Sequence, residues 1–145
     1  MSFALDIGMK RSVCVQVNSD QKTFAINTYV NLPEGALCRV SSKSIRLSID
    51  NWRVFIQNLE TIQNNFNKLK ENVEDPTIDL DVDLGDMIHV CMVSNISCVH
   101  IRTYYHLKGK LLPGLPGIGL KLTEFSCLLE AISSINSAIK LDEQQ

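Results

Sequence analysis

The sequence predicts an α+β fold built from two repeats, each a four-stranded antiparallel sheet plus one helix, sharing a single core. Three observations carry this. The apolar series Ile45, Leu47, Trp52, Phe55, Ile56, Leu59, Ile62 and Phe66 returns 73 residues later as Ile118, Leu120, Phe125, Leu128, Leu129, Ile132, Ile135 and Ile139. Eight apolar matches at one offset mark an internal repeat. Ahead of each series, runs of alternating apolar and polar residues signal strands. In a chain of 145 residues, each repeat is also too small, at about 70 residues, to bury its apolar surface well alone, so two copies gain by sharing a core.

The elements follow in order. Arg11 to Val17 alternates, with Val13, Val15 and Val17 on one face, and reads as a half-buried strand. Thr23 to Val30, with Phe24, Ile26 and Thr28 on one side, is its antiparallel partner across the polar turn Asn18 to Gln21. Leu32, Pro33, Glu34, Gly35 is a turn, because Pro fixes φ at one position and Gly relaxes it at another. Ala36 to Val40 is a third strand, Ser41 to Ser44 a short polar connection, and Ser44 to Leu47 a brief fourth strand.

Ser48 is the expected N-cap of the helix, its hydroxyl accepting from a free first-turn amide, and Asp50 adds a favourable charge near the positive helix end. One helix is expected to run to about Lys70, its buried stripe spaced by threes and fours from Trp52 to Phe66.

Residues 1–72 thus make the first strand-helix repeat, 73–86 an acidic linker and strand lead-in, and 87–145 the second repeat. The linker carries Glu74, Asp75, Asp79, Asp81, Asp83 and Asp86, which reads as a solvated charge run. The alternation of Ile78, Leu80, Val82 and Leu84 between those acids also fits an edge strand protected by its charges. Ile88 to Val93 and Ser97 to Tyr105 repeat the hairpin at an offset of 75, so the loop before the last strand is shorter in the second copy. Lys108, Gly109 and Lys110 supply its turn, and Pro113 to Gly117 a rigid connection. Lys121 stands where Ser48 stood, which moves the expected cap to Thr123.

Charge is uneven along the chain. Nine basic against six acidic residues up to Asn72 give +3, and five against ten from Val73 onward give −5. Five cysteines, an odd set without a CxxC pair, fit reduced thiols in an intracellular compartment. No signal peptide and no apolar run of the ~20 residues needed to cross a bilayer is found, so no membrane partner is expected. His89, Cys91, Cys98 and His100 fall on the same parity of one hairpin, and two Cys with two His could hold zinc. The usual zinc spacing is missing and the first copy lacks the set, so no metal and no cofactor is expected. Phosphate loops, HExxH and GxSxG are absent, which argues against an enzyme.

The order strand, strand, strand, strand, helix, read twice, resembles the positive cofactor four family of transcriptional coactivators that bind single-stranded DNA. In the first copy the resemblance rests on Thr28, Tyr29, Pro33, Glu34, Gly35, Ile45, Leu47 and Trp52. In the second it rests on Ile101, Arg102, Thr103, Tyr104, Gly109, Pro113, Gly114, Gly117, Ile118, Leu120 and Phe125. It covers nearly the whole chain. Because members of that family are homodimers, it implies that the two repeats form an intramolecular pseudo-dimer.

The resemblance also implies a groove for single strands, with basic residues along the backbone path and aromatic faces for bases. Lys10 and Arg11 match the family's basic first strand, Lys22 what remains of its basic turn, and Arg39 and Lys43 its basic segment before the last strand. The second copy keeps Arg102, Lys108 and Lys110, and has Tyr105 where the family's strand-end Trp stands; the first copy has Val30 there. Leu115 and Pro116 replace further basic positions. The implied site is asymmetric, with charge from the first copy and Tyr105 from the second. The expected function is a single-stranded DNA- or RNA-binding transcription or replication cofactor, nuclear or otherwise intracellular, with transcription or replication proteins as partners. The chain is expected to be a monomer, with further self-association through free strand edges left open. The alternative is a degenerate copy of the fold serving as a protein-interaction module. Trp52 and Phe125 are expected in the core, and Tyr29 and Tyr104 to pack with their hydroxyls at the rim.

Overall fold

The computed structural model describes residues 2–6, 13–18 and 23–139. Over these residues it is an α+β structure with two antiparallel sheets and four short helices. In the first half β1 (Ser2–Asp6), β2 (Val13–Asn18), β3 (Thr23–Asn31) and β4 (Leu37–Ser48) pair in that order, followed by α1 (Ile49–Gln57) and α2 (Leu59–Glu71). The second half repeats this with β5 (Asp79–Gly85), β6 (Ile88–Val93), β7 (Cys98–Leu107), β8 (Lys110–Lys121), α3 (Leu122–Glu130) and α4 (Ile132–Ala138). No helix among the described residues is long and apolar enough to cross a membrane.

Each sheet has four strands, but not the four expected. The stretches 36–40 and 44–47 belong to one strand, β4, which pairs with β3 along its length. The polar residues between them lie in a β-bulge, since the register passes from Ile26↔Ile45 to Thr28↔Val40. The Ser44 hydroxyl makes this workable: it donates to the Val40 carbonyl (2.8 Å) and accepts from the Thr28 amide (3.1 Å), replacing ladder bonds that the bulge breaks. The second sheet has a bulge in the matching place, at Gly114 to Pro116, with Gly117 where Ser44 stands, so the expected rigid connection lies inside β8. The remaining place in each sheet is filled from the N-terminal side, by β1 and by β5. In β5, Leu80, Val82 and Leu84 are buried while Asp79, Asp81 and Asp83 are exposed, so the acidic run contains a charged edge strand.

The single expected helix is two in each copy, interrupted at Asn58 and at Ala131, again 73 residues apart. The Asn58 side chain donates to the Val54 carbonyl (2.8 Å), competing for the acceptor that its own amide also uses. Ala131 has no such group, so packing common to both copies, and not Asn58 alone, sets the position of the break.

The caps differ. Ser48 caps α1 as predicted, accepting from the Asn51 amide (3.1 Å), while Asn51 Oδ1 accepts from the Ser48 amide (2.9 Å). In the second copy the cap stays at Lys121 and does not move to Thr123. Its amide donates to the Glu124 carboxylate (2.8 Å), which replaces the missing serine from the other side of the box.

Burial repeats with the sequence. Ile45, Leu47, Trp52, Phe55, Ile62 and Phe66 are buried, and so are Ile118, Leu120, Phe125, Leu128, Ile135 and Ile139. All belong to one continuous core. The copies are joined by specific contacts: Phe125 lies edge-on to both Phe55 and Phe66, with centroids 6.4 and 4.9 Å away. Trp52 Nε1 donates to Asn136 Oδ1 (2.6 Å). Asn51 Nδ2 donates to the Leu84 carbonyl (2.8 Å) and to Asp86 Oδ2 (3.1 Å), tying α1 to the far sheet. β4 lies beside β8, α1 against β5 and α4 against β2. With the helices and the core on one side, no described element covers the outer face of either sheet.

Candidate nucleic-acid interface

Strand alternation decides what the outer faces carry. In the first sheet Val15, Val17, Phe24, Ile26, Ile45 and Leu47 point to the core, so Gln16, Ala25, Asn27 and Arg46 point away from it. These residues, with Arg39, Ser41 and Ser44, line a groove of about 790 Å³ whose far wall is Pro116 of the second copy. Asn27 is buried in its floor and donates to Gln16 Oε1. The groove therefore offers two exposed guanidinium groups over a floor of amides and hydroxyls. That chemistry suits anionic oxygens.

In the second sheet the matching face is built differently. His100, Arg102, Tyr104, Tyr105, Pro113, Gly114 and Leu115 line a separate cavity of about 660 Å³. Arg102 Nη2 lies 3.4 Å from His100 Nδ1, and Cys98 Sγ lies 3.1 Å from His100 Nε2. Burial, and then the Arg102 charge, lower the His100 pKa below its ordinary value, and burial raises that of the Cys98 thiol.

The candidate zinc set does not assemble. His89 Nδ1 sits 2.6 Å from Asp81 Oδ1, and Cys91 contacts the same oxygen (3.6 Å) while accepting from the Tyr104 hydroxyl (3.2 Å). Cys98 and His100 form a second, separate pair. Burial pushes the Cys91 thiol up to about 11, holding it as a neutral thiol. Among the described residues no group of three His, Cys, Asp or Glu is placed to hold a metal ion. Tyr104, edge-on to His89, is taken up by this network through its hydroxyl. Burial is the first cause of the rise in its pKa.

Of the residues singled out in the sequence, Lys10, Arg11 and Lys22 lie outside the described residues. Arg39 lines the first groove. Lys43 is exposed on the bulge between Ser41 and Ser44, both of which line that groove, but is not itself part of the lining. Arg102 and Tyr105 line the second cavity. Lys108 and Lys110 are exposed at the β7–β8 hairpin end and line neither. Sequence reasoning missed Arg46, Gln16 and Asn27. Arg46 was accessible to it, since a residue between the inward Ile45 and Leu47 must point outward.

Register also refines Tyr105. Beyond the bulge Tyr105 stands opposite Leu112, as Tyr29 stands opposite Arg39. Since Leu112 follows Arg39 by the repeat offset of 73, Tyr105 takes the place of Tyr29 beside the last strand and not that of Val30. β7 has gained one residue at its bulge.

No protein-family model matches the chain, and no solved structure matches it. Over 46 residues the chain is 41% identical to a Neurospora crassa protein named "Putative RNA polymerase II transcriptional coactivator". The match covers 32% of this chain and 27% of that protein, so the chain spans about a quarter of its relative's length.

Proposed function

We propose that this protein is a single-stranded nucleic-acid-binding cofactor of transcription or replication, of the kind that the positive cofactor four family exemplifies, and that its two repeats form an internal pseudo-dimer. The observation that carries the reading is the first groove, in which Arg39 and Arg46 stand over buried hydrogen-bonding side chains on a sheet face that none of the described helices covers. The similarity to a protein named as a transcriptional coactivator supports the same kind of role. The shared core, with Phe125 between Phe55 and Phe66, supports the pseudo-dimer. A nuclear or other reducing intracellular setting follows from that role.

A strand held through about five phosphates should lose affinity with a slope near −3.5 in log affinity against log salt. Fluorescence anisotropy with a labelled single strand at a series of salt concentrations measures it. No binding at low salt removes the reading.

A second reading, a protein-interaction module, draws on the exposed Val30, Leu37 and Leu107 near the hairpin ends and Leu115 on the β8 bulge. A protein partner whose capture survives Arg39→Ala with Arg46→Ala favours it.

A further inference from the structure

In the second sheet, three glycines of β8 occur at positions where the first sheet has side chains, and each has a neighbouring β7 side chain against it. Gly114, Gly117 and Gly119 stand where Ser41, Ser44 and Arg46 stand in β4. A Cβ on Gly114 would lie 3.1 Å from the Tyr105 ring, and one on Gly119 would lie 3.3 Å from the His100 ring. On Gly117 it would lie 2.6 Å from Cγ of Arg102, a clash that no small shift relieves. The bare backbone of β8 thus lets a phenol, a guanidinium stem and an imidazole rest across it, with Tyr105 still 47% exposed. Planar groups backed by a strand and open on the other side are suited to stacking against bases. Of the three glycine positions, the first sheet fills two with serine and one with arginine, and among the described residues the aromatic ring in its groove lining, Phe24, is buried.

Resting on the single-strand reading above, we infer that the two copies divide one strand between them. Phosphates run along Arg39 and Arg46 of the first sheet, and unpaired bases seat on the glycine-backed strip of Tyr105, Arg102 and His100 in the second. The halves are neighbours, because Pro116, which follows the cavity residue Leu115, forms the wall of the first groove. Each chain then takes one strand, not two.

The experiment compares oligodeoxythymidine with an abasic oligonucleotide of equal length, using anisotropy at low salt and a stoichiometric titration. The wild-type chain should prefer the base-bearing strand by about tenfold or more, one stack's worth or above, and saturate at one strand per chain. Tyr105→Ala should remove most of that preference while leaving abasic binding unchanged, and Tyr105→Phe should retain it. Thermal melts of each variant check folding. Arg39→Ala with Arg46→Ala should weaken both oligonucleotides alike. If Tyr105→Ala weakens both equally, or neither, the division of labour is overturned and the single-strand reading stands. If neither oligonucleotide binds the wild-type chain, the single-strand reading itself falls, and this inference with it.

Discussion

The two copies agree along the apolar stripes that face inward and differ across much of their outer faces. Trp52 and Phe125, Phe55 and Leu128, Ile62 and Ile135, Phe66 and Ile139 are all buried at a constant offset, and the helix breaks fall at matching places. On the outer face Arg39, Lys43 and Arg46 of β4 become Leu112, Pro116 and Gly119 of β8, while Ala25 and Asn27 of β3 become His100 and Arg102 of β7. A shared core holds each copy to the shape of the other, since an inward change on one side must be met across the interface. The outer faces carry no such mutual constraint, and so one could keep charge while the other took up planar side chains. Function is to be sought where the repeat fails.

The largest expected effect comes from breaking the part the copies share. Phe125 is fully buried and touches the ring systems of the other copy, so Phe125→Ala should cost about 3–5 kcal/mol. Chemical denaturation followed by both Trp52 fluorescence and far-UV circular dichroism should show one transition shifted as a unit. Two separated transitions, with the first copy holding its stability, would show that each copy has its own core.

Next in size is the difference in charge. Arg39→Ala with Arg46→Ala should make the salt slope shallower by about 1.4, and Leu112→Arg, which puts the first copy's charge on the second, should steepen it by about 0.7. Both can be read by anisotropy. A slope unmoved by the double variant would mean that the groove does not meet phosphates.

How much of this the sequence could show depended on whether one physical cause acted at each residue. The helix stripe was legible because 3.6-residue spacing and burial coincide from Trp52 to Phe66. Ser48 was legible because a capping hydroxyl acts within one turn, as were the turns at Gly35 and Lys108–Gly109, where φ is positive. Two causes met at Ser41 to Ser44: a polar run that usually ends a strand is here carried through it by the hydrogen bonds of Ser44. They met again in β5, where aspartates that read as linker alternate with buried leucine and valine. For the site, Arg39, Arg102 and Tyr105 were legible as residue types. Which of them share a cavity depends on the bulges, and a bulge that shifts Tyr105 by one register position leaves no mark in composition or periodicity.

A smaller effect separates the two caps. Asn51→Ala removes the returning half of the capping box and also the bonds to Leu84 and Asp86, whereas Glu124→Ala removes only the bond to the Lys121 amide among those the structure shows. Loss of a cap costs about 0.5–2 kcal/mol. Asn51→Ala should fall at or above the upper end and Glu124→Ala near the lower. Equal losses in urea denaturation would mean that the tie from α1 to β5 contributes nothing.

The smallest expected effect tests a group that only the second copy possesses. His100 holds its proton less tightly in the folded chain than in the unfolded one, because burial, and then the adjacent Arg102, disfavour the imidazolium. Between its lowered value and the ordinary 6.5, the unfolded chain binds more protons, so stability rises with pH across that window. Its contribution is complete above about 6.5 and is lost as pH falls through the folded value. The first copy has Ala25 in that place and nothing there to titrate. Denaturation midpoints measured at pH 7.5 and 5.5 should therefore differ more for the wild-type chain than for His100→Ala, with other groups cancelling in the comparison. An equal pH dependence in both proteins would mean that His100 titrates as it does in water, and that the Cys98, His100, Arg102 row is looser than the distances within it imply.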